Sequence, residues 1–168
     1  MSCPDFSSEF RSWMLNLSDR GFRRNQELGI VLEGSPERPE RGETCTGTDC
    51  SIVLGGEGGW GTFHTHARTR PRLGCFDAFA TAWRGHSHAC VGGVEDERPV
   101  VRCYAASSQD VREAEKRVKS LSRGEIIERR YELGCEIRDR HFRQVCEIGK
   151  ERKPRPRQTS LMRRKRRR

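Results

Sequence analysis

The sequence has no run approaching the roughly 18 consecutive apolar residues needed to cross a bilayer. Its start, Met1-Ser2-Cys3-Pro4-Asp5, has neither the basic opening nor the apolar stretch of a signal peptide. The expectation is a soluble, cytoplasmic chain without a membrane partner, with the nucleus also open to it in a eukaryote. No two of its eight cysteines form a C-x-x-C pair, which argues against a zinc knuckle made of cysteine alone. No internal repeat is visible. Hydrophobic residues make up 33 % of the chain and charged residues 34 %, so the whole length cannot form one core. The apolar residues concentrate before about Tyr104. The reading is one domain over 1–107, a charged helical extension over 108–149 and a disordered basic tail over 150–168.

The tail carries most of the excess in the net charge of +9. Its basic side chains, from Lys150 to the run Arg163 to Arg168, face the single acid Glu151. Such a segment suits phosphate contacts with nucleic acid, an acidic protein surface or a nuclear address. No aromatic residue interleaves with the charges, which argues against base stacking. In an ordinary cytosol the cysteines would be reduced and mostly buried. Arginine outnumbers lysine, and in a hyperthermophile intracellular disulfides are expected, with Cys45 and Cys50 the first pair to consider.

Helical spacing of Phe6, Phe10, Trp13, Met14 and Leu17 predicts a helix over 6–20, stopped at Gly21. Strands are expected over 27–34, 51–54 and 60–66, with 35–48 an exposed loop. A short helix over 75–84 would bury the stripe Phe76, Phe79, Ala80 and Trp83. Residues 89–94 and 100–104 read as an antiparallel hairpin around an acidic turn. A helix capped by Ser108 follows, with Val111, Val118 and Leu121 on one face. A second begins after Gly124, weakened at Gly134 and continuing through Phe142, Val145 and Cys146; it would project or pair with a partner. The fold class is α/β: a twisted, mostly antiparallel sheet flanked by helices.

One segment points to a reaction. It reads Trp60-Gly61-Thr62-Phe63-His64-Thr65-His66, and Asp77 follows eleven residues after His66. Residues i and i+2 of a strand share a face, so His64 and His66 present two imidazoles side by side. A carboxylate from the next element completes the donor set of a catalytic zinc that leaves one position open. A second group, His86-Ser87-His88-Ala89-Cys90, has ligand types at alternating positions. The simpler reading there is a loop entering a strand with Cys90 buried. Cys75 and Cys90 could also approach one another near the histidines.

His-x-His, seven residues, a small residue, two residues, then Asp resembles the signature of the JAMM/MPN+ (JAB1/MPN/Mov34) metalloproteases. The run Glu27-Leu28-Gly29-Ile30-Val31-Leu32-Glu33-Gly34 resembles the upstream element of that family. The resemblance covers roughly 5–107 and implies a JAB1/MPN-like fold. It also implies Zn²⁺ held by His64, His66 and Asp77, with Glu27 as the catalytic acid/base. Zinc lowers the pKa of water to about 7 and polarises a carbonyl; a carboxylate then relays the proton to the leaving amine. Glu33, in the same run, would be a solvated strand-end residue. The implied substrates are the tails of ubiquitin-like or sulfur-carrier proteins, supported along strand edges and the segment 55–59 by β-augmentation. Two departures stand out. Gly74 occupies the place of a serine thought to stabilise the oxyanion, and Ala67 that of a frequent proline. A backbone N–H, a water or the hydroxyl of Thr62 or Thr65 would have to substitute. The alternatives are an inactive MPN-fold scaffold whose basic tail contacts nucleic acid, and an amidase or nucleic-acid-repair relative with the same metal core.

Overall fold

Residues 1–47, 58–68 and 70–149 are described by a computed structural model of the chain. The expected strand over 51–54, Cys50 and the basic tail lie outside them.

Ser7 caps the first helix, α1 (Ser8–Arg24), its hydroxyl accepting from the Phe10 N–H. The helix runs past Gly21 and ends at Asn25 in the left-handed region. Gly21 is therefore not a stop. A Cβ there would stand 2.7 Å from Thr65 Oγ1, so glycine is what lets α1 lie close against the sheet. Phe10, Met14 and Leu17 face inward as expected.

Among the described residues six strands follow: β1 (Glu27–Ser35), β2 (Arg38–Gly47), β3 (Gly61–Thr65), β4 (His88–Glu95), β5 (Arg98–Ala105) and β6 (Arg143–Gly149). They form one sheet in the order β2-β1-β3-β4-β5-β6. Every neighbouring pair is antiparallel except β3 and β4. A parallel pair needs a crossover, and here it is α2 (Cys75–Trp83). Helices α3 (Ser108–Lys119) and α4 (Arg123–His141) complete the fold. The α/β class and the mostly antiparallel sheet flanked by helices are as expected. Among the described residues no helix is long and apolar enough to cross a membrane.

Alternation along the strands divides the core. Leu28, Ile30, Leu32, Phe63, Val101 and Cys103 point to α1. Ala89 and Val91 point to the other face, where Phe79, Val118, Leu133 and Ile137 of the remaining helices cover them. The β4–β5 hairpin turns at Asp96 and Glu97, both with positive φ, as a type I′ turn requires.

Four local expectations are corrected. The exposed loop over 35–48 is largely strand β2, an edge strand whose charges and Pro39 suit one side open to water. Arg143–Gly149 is not the end of a helix but the other edge, β6, paired with β5. Ser107 caps α3, and Ser108 is its first residue. In α2 the buried residues are Cys75, Ala78, Phe79, Thr81 and Ala82, while Phe76 and Trp83 are 51 % and 41 % exposed. The small residues let the helix settle close to its neighbours, and that contact overrides the larger aromatic stripe.

Helix α4 does not project. It packs on α2, and Gly134 sits at the crossing, where a Cβ would lie 2.0 Å from the Cys75 carbonyl oxygen. Gly134→Ala should therefore destabilise the fold by about 1–3 kcal/mol through overpacking, although alanine gains up to about 1 kcal/mol in helix propensity. A lowered denaturation midpoint in urea is the expected result; a raised one would show that the helices do not approach this closely.

Six of the eight cysteines are not reduced thiols. Disulfides join Cys3 to Cys146, Cys75 to Cys135 and Cys90 to Cys103. Cys75 and Cys90 thus have different partners. Across 143 residues, Cys3–Cys146 ties the N-terminal segment to β6. Cys75–Cys135 fastens the first turn of α2 to α4 beside Gly134.

Candidate metal centre

The chain leaves the C-terminal end of β3, passes through the segment before α2, and returns to the same place in the first turn of that helix. His64 lies in β3, His66 immediately beyond it, and Asp77 is the third residue of α2. Alternation puts Phe63 and Thr65 on the α1 face and Thr62, His64 and His66 on the α2 face. Across the sheet, Gly29 pairs with His64 and brings no side chain against it. Continuing that antiparallel register by two residues sets Glu27 opposite His66. The cleft, about 850 Å³, is lined by Glu27, Thr62, His64, His66, Gly74 and Asp77, with further residues from α2 and α4.

Three donor atoms converge. His64 Nε2 is 3.1 Å from His66 Nε2, and Asp77 Oδ2 is 3.3 and 3.4 Å from the two nitrogens. Zinc bonds of about 2.0–2.1 Å at tetrahedral angles place ligand atoms about 3.3–3.4 Å apart. The triangle therefore fits a small divalent cation. His66 Nδ1 lies 3.2 Å from the Arg70 carbonyl oxygen. Donation to that oxygen leaves the Nε2 lone pair directed into the triangle, the outer contact that commonly orients a metal-bound imidazole. Gly74 N–H donates to Asp77 Oδ2 at 2.8 Å and fixes the carboxylate at the head of α2.

The electrostatics agree. Burial alone would raise the Asp77 pKa, but the charge and hydrogen bond of His64, then those of His66, hold it far below the usual carboxylate range. Burial opposes charge on His66, yet the hydrogen bond and charge of Asp77, the Arg70 carbonyl and the charge of Glu27 lift its pKa above the ordinary value. Such a group of close imidazoles around a carboxylate favours positive charge at its centre, whether from protons or from a metal.

All four residues singled out in the sequence meet in this cleft. Gly74 takes a specific part as well. Its N–H is committed to Asp77, and a Cβ there would press on the same carboxylate at 2.8 Å. The hydroxyl of Thr65 accepts from the Leu28 N–H on the α1 side of the sheet. Of the hydroxyls considered for oxyanion stabilisation, Thr62 is the one that lines the cleft.

The second histidine cluster does not assemble. Cys90 is in its disulfide, His86 Nε2 lies 3.2 Å from the Gly58 carbonyl oxygen, and His88 Nδ1 is 2.8 Å from Ser87 Oγ. Burial lowers the pKa of both histidines. A different group, unremarked in the sequence, does gather: Asp110, Glu113 and His141. His141 Nδ1 is 2.7 Å from Asp110 Oδ1, and Asp110 also accepts from the Ser107 hydroxyl. This pair locks the start of α3 to the end of α4, while Glu113 is exposed. The sequence also gave no sign of Arg84, Arg130, Tyr131 and Arg138 in the cleft wall. Three of them come from α4, more than fifty residues beyond the motif, and no local period places that helix over the site. No protein-family model and no curated protein matches the sequence.

Proposed function

We propose that the chain is a zinc-dependent hydrolase of amide or isopeptide bonds, built on a JAB1/MPN-like fold and similar in its centre to the JAMM metalloproteases. The convergence of His64, His66 and Asp77 at 3.1–3.4 Å, in a cleft that also contains Glu27, carries this reading. Zinc, when bound, supplies a Lewis acid beside an acidified water. The chain's own residues do the rest. Glu27 accepts a proton from water and returns it to the leaving nitrogen. Thr62 offers a hydroxyl towards the oxyanion, and the wall of α4 excludes bulk solvent from one side. The substrates proposed are the tails of ubiquitin-like or sulfur-carrier proteins. The three disulfides suit an oxidising compartment, or the cytoplasm of a hyperthermophile, better than an ordinary reducing cytoplasm.

The test is hydrolysis of a panel of fluorogenic amides and isopeptides by the full chain, before and after removal of metal with a chelator. Activity lost on chelation and restored by zinc supports the reading. A wholly inactive zinc-loaded chain would favour the second reading, an MPN-fold binding module whose tail contacts nucleic acid or an acidic protein. Gly74 favours that alternative, because it brings no hydroxyl and its N–H is already engaged.

A further inference from the structure

The α4 side of the cleft has features that holding a metal does not require. Phe76 of α2 and Tyr131 of α4 are 51 % and 55 % exposed, and their rings meet at 5.2 Å. Ile127, one turn earlier on α4, is 67 % exposed. Large apolar side chains clustered in water at the mouth of a cleft mark a contact surface. The Arg130 guanidinium lies over the Phe76 ring, 5.3 Å from its centroid, and among the described residues it makes no ion pair.

The cleft wall holds more basic than acidic side chains. Its acids are Glu27 and Asp77, and Asp77 is engaged by two imidazoles. Against them stand Arg84, Arg130 and Arg138. Arg138 is tied to Asp139 through Nε and Nη2, but its Nη1 meets only the Cys75 sulfur, at 3.3 Å. Sulfur is a weak acceptor, so this N–H remains available to a stronger one. A guanidinium fork matches a carboxylate in shape and charge, and the aromatic pair beside it gains by covering an apolar group.

We propose that this shelf binds a peptide carboxylate flanked by an apolar residue, with Arg130 as the principal anion contact and Phe76 and Tyr131 as the apolar floor. The inference rests on the reading of the metal triangle as a centre that acts on amide bonds. The carboxylate has two sources: an acidic side chain near the scissile bond, or the C-terminus of the substrate itself. The first describes an enzyme that cuts within or between chains, and the second one that trims a chain end.

The deciding experiment is equilibrium binding by fluorescence anisotropy to the full-length, zinc-loaded Glu27→Gln chain. Three labelled peptides share one apolar sequence: a neutral C-terminal amide, the same peptide with a free C-terminus, and the amide with one internal glutamate. At least one carboxylate peptide should bind about tenfold or more tightly than the neutral one, the scale of a hydrogen bond to a charged group. Arg130→Gln in the same background should remove most of that difference; Arg130 is exposed, so the change does not threaten folding. Which carboxylate is preferred identifies its source. Equal binding of all three, no binding of any, or a preference untouched by Arg130→Gln would overturn the proposal. Cleavage by the wild-type chain is scored separately. Carboxylate-dependent binding with no cleavage of any peptide keeps the shelf and removes the hydrolase reading. Cleavage indifferent to the carboxylate does the reverse.

Discussion

Glu27→Gln is expected to lower turnover by about 10²–10⁴-fold, the usual contribution of a positioned general acid/base, while leaving the metal content unchanged. The argument begins with the register. Glu27 opens β1 on the cleft face of the sheet, and its charge is one of the influences that raise the His66 pKa. It stands outside the triangle of three donors. Glutamine has the same shape and retains an oxygen that can accept a hydrogen bond from water. What it loses is the ability to take up a proton. The loss should therefore fall on kcat, with KM and zinc stoichiometry close to wild type. Measuring both on the same preparation separates the roles. Wild-type turnover would sink the assignment of Glu27, and loss of zinc would make it a ligand instead.

The triangle of His64, His66 and Asp77 was legible because its parts are local. His64, His66 and Asp77 lie within one strand, one connection and one helical turn, and strand alternation alone brings the imidazoles to one face. Glu27 is farther away in sequence, and only the resemblance of its strand to a known element selected it over Glu33. The structure supplies an independent reason: the β1–β3 register leads to His66. The cleft wall from α4 was not legible. The Gly134 contact with Cys75 and the Cys75–Cys135 disulfide place that helix, and neither can be read from spacing. Glycine within a helical run signals weakness in isolation; here it permits the close crossing that completes the cleft.

The edge strands were missed for a related reason. Among the described residues strand β2 has one neighbour, and its exposed sequence carries charges and Pro39 where a central strand carries aliphatic residues. Across the junction of α4 and β6, Phe142, Val145 and Cys146 mimic a helical step, while Cys146 and Ile148 also satisfy alternation. Pairing with β5, which sets Cys146 against Cys103, resolves the ambiguity. The α2 stripe shows the limit of size as a guide. Phe76 is a large apolar residue on a helix, yet the disulfide and the small face of Cys75, Ala78 and Ala82 turn it outward, to the mouth of the cleft.

His64→Ala/His66→Ala is expected to abolish zinc binding, from about one ion per chain to none by mass spectrometry of the purified protein. Two of three protein ligands are removed, and Asp77 alone cannot hold the ion against water. The fold should survive, because Phe63 and Thr65, which alternate with the histidines, pack on the opposite face against α1, and that core is left intact. A thermodynamic readout gives the same answer independently of purification history. Zinc that binds only the native state should stabilise the wild type by about 2.7 kcal/mol at a hundredfold excess over Kd, and should leave the double variant unmoved. The group Asp110, Glu113 and His141 provides the control. Asp110→Asn should retain the full zinc-dependent stabilisation if the β3–α2 triangle is the site. If zinc instead stabilises the double histidine variant and not Asp110→Asn, the metal belongs between α3 and α4, and the hydrolase reading loses its centre.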